Sequence, residues 1–176
     1  MTQHDSIDAL ATMSDSSTLV IQRWLPGPLE RVWRYLTEDQ LRRKWLAAGE
    51  MQLVTGAPLE LVWRNDNLSD GSSARPSGFP EVQSMQSQIV AVDPMRLLTI
   101  EWGKGEVTFN LKEQGSRVLL TITHSGLDDP ATLQMIAGGW HMHLDILVAV
   151  VSGTQPPSFW SGWTELQAIY GAHFSQ

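Results

Sequence analysis

The chain has 176 residues, 42% hydrophobic and 18% charged, with a net charge of −7 at pH 7 and no cysteine. A single domain of this size buries roughly two-thirds of its unfolded surface, and the acidic balance argues against nucleic-acid phosphates and anionic membrane surfaces as partners. Without cysteine there are no disulfides, thiol nucleophiles or thiolate metal sites, which suits a reducing cytoplasm. Residues 1–17, MTQHDSIDALATMSDSS, lack a basic start followed by an apolar core. They read as a flexible polar tail and not as a secretory signal. The domain is expected over 18–176, in the cytoplasm, with no apolar run near the roughly twenty residues a membrane span requires.

Residues 18–25, TLVIQRWL, are apolar and β-branched and read as the first strand. Pro26-Gly27-Pro28 ends it, and Pro28 suits a helix start because it lacks the amide hydrogen that would go unpaired there. Leu29, Val32, Trp33 and Leu36 then form one helical stripe. The Thr37 hydroxyl is expected to cap a second short helix carrying Leu41 and Trp45.

Strand-like sequence follows. MQLV (51–54) and PLELVWR (58–64) flank Thr55-Gly56-Ala57, with Leu59, Leu61 and Trp63 on one face of the second run. Residues 82–92 form a more polar strand. RLLTIEW (96–102) alternates Leu98, Ile100 and Trp102 inward, and Gly103-Lys104-Gly105 is a hairpin turn. Val107, Phe109 and Leu111 share a face in the next strand, and Val118, Leu120, Ile122 and His124 in the last. These are seven candidate strands, mostly joined by short turns, hence an antiparallel sheet in an α+β arrangement. Between 65 and 80, NDNLSDGSSARPSGFP exceeds the usual connection length and is either a mobile lid or slack; slack is the preferred reading.

A long helix begins near Asp129-Pro130 and ends at Gly153, and a short final one covers about 159–172. At about 100° per residue, Ile136, Trp140, Leu144, Leu147 and Val151 form the long helix's dry sector, with His143 at its edge. His141 and Asp145 fall almost opposite and read as a solvent-side pair. His143 and His124 are thus inward imidazoles, either satisfied core residues or polar points in a cavity wall. Metal ligation lacks a third partner and any HExxH spacing, no GxSxG elbow exists, and no helix follows Gly103 and Gly105 to hold a phosphate. No metal and no cofactor are expected, and no residue is assigned a catalytic role.

The segments IQRWLPGPLERVWRYLTEDQLRRKWL, DPMRLLTIEW, VLLTITHSGL and GWHMHLDILV occur in one order that resembles the START-like (SRPBCC) superfamily. The resemblance covers 18–153 and falls within the branch related to the C-terminal domain of the activator of the heat-shock-protein-ninety ATPase. It implies a helix-grip fold: a curved seven-stranded antiparallel sheet around a long C-terminal helix, two short helices after the first strand, and a cavity between helix and sheet. HSGL (124–127) and Gly139-Trp140 match family positions and read as a strand end and a close helix–sheet approach.

The leading reading is a binding protein for a small, mainly hydrophobic molecule held between the long helix and the concave sheet, with Trp63, Met85, Trp102, Phe109, His124, Trp140, His143 and Leu147 as expected cavity walls. Two other readings stand beside it. One is a cyclase or hydrolase using His124 or His143 as proton carrier. The other is a stress-response module that binds a chaperone through an exposed apolar tail from Phe159 to Tyr170. Trp160 and Trp163 are hard for one short helix to hide, so that tail is also a candidate homodimer contact.

Overall fold

Alternation is the feature that builds this fold, and the computed structural model, which describes residues 9–68 and 74–175, shows where each parity goes. The strands are β1 (Thr12–Asp15), β2 (Thr18–Pro26), β3 (Pro58–Trp63), β4 (Gln83–Asp93), β5 (Leu97–Trp102), β6 (Gly105–Gln114) and β7 (Arg117–His124). They form one curved antiparallel sheet in the order β1-β2-β7-β6-β5-β4-β3. The inward residues expected of β7 are the buried ones, Val118, Leu120, Ile122 and His124. Registered against them in β6 are Val107, Phe109 and Leu111, also buried.

Helices α1 (Leu29–Thr37) and α2 (Asp39–Arg42) follow β2, which is the first strand read from the sequence. Thr37 does not cap α2. Its hydroxyl donates to the Trp33 carbonyl of its own helix at 3.0 Å, and Glu38 takes the cap position. Two other expectations are corrected. Thr12–Asp15, within the stretch read as tail, pairs with β2 as an edge strand; residues 1–8 lie outside the described residues. MQLV is a loop, because the Gly56 amide and Ala57 carbonyl occupy the β4 backbone at Ile89, and the outer edge of β3 is met at Ala48 instead. The strand count therefore stays at seven while its membership changes.

Helix α3 (Pro130–Ser152) crosses the concave side of the sheet. Asp129 caps it by accepting from the Thr132 amide at 2.9 Å, and Gly153, at φ 74°, ends it in the left-handed conformation glycine accepts most readily. By length and composition α3 is apolar enough to cross a membrane, contrary to the sequence reading. Here it is the core helix, with Trp140, Leu144, Leu147 and Val151 buried. Helix α4 (Phe159–Phe174) lies on the other side of α3, and the missing side chains of Gly138 and Gly162 let the two approach. A Cβ on Gly138 would meet Gln167 and Trp163 of α4, and one on Gly162 would meet Met142 of α3. The close approach expected at Gly139-Trp140 is therefore one residue earlier, and between helices; Gly139 has open space where its side chain would be.

Candidate functional site

Because α3 is sandwiched, both of its histidine faces are dry. His141 was expected on the surface but is only 9% exposed, since α4 covers that side. Its Nδ1 lies 2.9 Å from the Tyr170 hydroxyl, which also accepts the Ala11 amide at 2.8 Å. The expected pairing with Asp145 exists, at 3.5 Å from Nε2, and Asp145 also meets Arg23 of β2 at 3.4 Å. Burial lowers the His141 pKa; Asp145 opposes that and Arg23 adds to it. These contacts clasp β2, α3, α4 and the N-terminal segment together.

His143 has one committed nitrogen. Nδ1 lies 2.8 Å from the Trp45 carbonyl, which can only accept, so Nδ1 carries the proton and Nε2 the lone pair. Burial lowers the pKa to about 4, against a small upward pull from that hydrogen bond. The ring is therefore neutral at pH 7. His124 is arranged the opposite way: its Nδ1 accepts from the Trp140 indole N–H at 2.9 Å, leaving the proton on Nε2. Burial lowers it to about 4 as well.

Beside His143 is a partly open cavity of about 510 Å³. Its floor is Trp63 of β3, Met85 of β4 and Trp102 of β5, and one wall is Ile136, Gly139, Trp140 and His143 of α3. The roof is Phe159, Trp160 and Trp163 of α4 with Phe79 from the 65–80 connection. Val82 and Met135, 43% and 38% exposed, stand at the mouth.

Five of the eight residues expected as walls line this space: Trp63, Met85, Trp102, Trp140 and His143. Phe109, His124 and Leu147 do not, which corrects that expectation. They lie where helix and sheet touch, and His124 sits behind Trp102 and Trp140, ring centroids 5.2 and 6.2 Å away. Phe109, His124 and Leu147 are buried there, and the cavity lies towards the β3–β5 end. What the sequence reading missed is the α4 roof. Its signal was present in Phe159, Trp160 and Trp163, a cluster of rings with no assigned cover.

That roof is pinned by one carboxylate. Asp66 accepts the Trp160 indole N–H at 2.7 Å and pairs with Arg75, whose Nε donates to the Phe79 carbonyl at 3.0 Å. Phe79 packs on Trp160 and Trp163, centroids 5.3 and 5.0 Å away. The 65–80 connection, read as slack, is therefore tied to α4 at both described ends; residues 69–73 lie outside the described residues. Trp160 is buried and Trp163 half-buried under this contact.

The family described as activator of Hsp90 ATPase homolog 1-like protein matches residues 26–152. The chain belongs to that family. A Bordetella parapertussis protein solved by solution NMR is 33% identical, with a TM-score of 0.79, covering 97% of this chain and 94% of that one. CalU16 from Micromonospora echinospora, in its crystal structure, is 23% identical at TM-score 0.63, covering 88% of this chain and 86% of its own. An Enterococcus faecalis protein is 17% identical at TM-score 0.71, covering 94% and 89%. The last two show the fold alone. No curated protein matches the chain. Within this family member, the START-like helix-grip expectation therefore holds for the fold, and the cavity is described from its own residues.

Proposed function

We propose that this chain binds a small, mainly apolar ligand in the cavity between α3, α4 and the β3–β5 end of the sheet. One observation carries the reading: about 510 Å³ of space is kept open among indole, phenyl and thioether side chains, within the range of roughly 300–1,000 Å³ typical of small-molecule sites. Burying an apolar molecule there contributes about 25 cal/mol per Å² removed from water, before the costs of association. Gly139 keeps the space open, since any side chain at that position would enter it.

The test is extraction and mass spectrometry of the purified protein beside its Gly139→Leu variant. A compound carried by the parent chain and missing from an equally folded variant supports the reading. Equal recovery from both, or neither chain taking up any apolar probe offered in excess, refutes it.

A further inference from the structure

The polar side chains of the cavity wall are Asn65, Gln83, Ser84 and His143, while the indole N–H groups of Trp140, Trp160 and Trp163 are already committed. None of the lining residues is Asp, Glu, Lys or Arg, so no charged group waits for a counter-ion. A carboxylate or phosphate would give up its hydration without gaining a cationic partner, in a protein whose net charge of −7 already repels it. His143 offers the cavity only Nε2, because Nδ1 is held by the Trp45 carbonyl. Asn65 on the same wall keeps Oδ1 buried without a hydrogen-bond partner. Both atoms accept, and neither has a donor among the described residues. The walls around them are planar rings: Trp63 and Trp102 meet edge-on at 5.2 Å, and Trp102 and Trp140 lie 5.4 Å apart.

Resting on the reading above, we infer that the ligand is an uncharged aromatic molecule bearing a hydroxyl, and that His143 Nε2 selects it by accepting the hydroxyl hydrogen. The flat body packs offset or edge-on against the indoles, as aromatic pairs prefer. The hydroxyl supplies the donor that Nε2 lacks. An ether of the same ring system leaves Nε2 dry and unpaired, and an acid sets a negative charge against a lone pair. His143 is a specificity-determining residue in this scheme, and its tautomer is fixed from outside the cavity by Trp45.

Calorimetric titration of the full chain near neutral pH with 2-naphthol, 2-methoxynaphthalene and 2-naphthoate tests this. The expected order is naphthol tighter than its methyl ether by roughly tenfold, the worth of one buried hydrogen bond, with no heat from naphthoate. In the His143→Gln variant the preference for naphthol over the ether should shrink towards unity, while Gly139→Leu binds neither. Ether binding as tightly as naphthol overturns the donor requirement and leaves the apolar-ligand reading intact; naphthoate as the tightest probe overturns the neutrality requirement. Heat unchanged by Gly139→Leu places binding outside the cavity and refutes both. Should His143→Gln fail to fold, the three-probe comparison on the parent chain decides.

Discussion

Mild acidification should destabilise this protein substantially, and the histidines set the size of the effect. In the folded chain His124 and His143 titrate near 4, against 6.5 for the free ring, and in both burial is the main cause. A lowered folded pKa means the unfolded chain binds the proton first. The stabilisation from keeping the rings neutral is therefore whole above about pH 6.5 and is lost progressively as pH falls towards 4. At about pH 5 each unfolded imidazole gains roughly 2 kcal/mol that its buried counterpart forgoes, or about 4 kcal/mol for the pair. Natural domains hold about 5–15 kcal/mol in all, so the loss is a large fraction of the total. His141, also lowered, acts in the same direction. Asp15, Asp39 and Asp129 titrate below their usual 3.8 and stay ionised through this window, so they do not confuse it. Urea unfolding at about pH 7.5 and pH 5, followed by tryptophan fluorescence, measures the difference. A midpoint shift worth less than about 1 kcal/mol would show that the imidazoles are hydrated or charge-paired, and the burial argument would fail.

Two glycines should respond oppositely to alanine. Gly139→Ala adds helix propensity and meets open space, so it should raise stability by about 0.5–1 kcal/mol. Gly105→Ala drives a Cβ into the backbone carbonyl of Ser125, which cannot swing aside, and should cost about 1–3 kcal/mol; chemical denaturation reads both. Asp66→Ala strands the Trp160 indole N–H and frees Arg75, for a loss of about 1–3 kcal/mol. Hydrogen exchange should then quicken in α4 and leave β6 and β7 unchanged.

The sheet was legible because alternation is a local signal: Val118, Leu120, Ile122 and His124 announce their face without knowledge of what covers it. The ends of α3 were legible for a similar reason, since Asp129 and Gly153 act within a turn of their own positions. Thr12–Asp15 escaped because an edge strand with a polar face carries no apolar parity. MQLV misled because three apolar residues in four resemble a strand whether or not a free edge awaits them. His141 shows the deeper limit. Helical periodicity ranks residues by their angle from the sheet, and it cannot report a second helix lying on the far side. The same blindness placed the cavity walls at Phe109, His124 and Leu147, under the centre of α3, when the space is at one end beneath α4.

The family match stops at residue 152, and α4 begins at Phe159. Three of the rings that close the cavity thus come from sequence beyond the stretch the family model matches, although the Bordetella parapertussis protein covers 97% of this chain. Kinship here vouches for the chassis and says little about the cargo. Relatives that keep the grip but carry another closing helix would present a differently shaped vessel, so binding partners established for one of them should be transferred to another only after comparing that last segment.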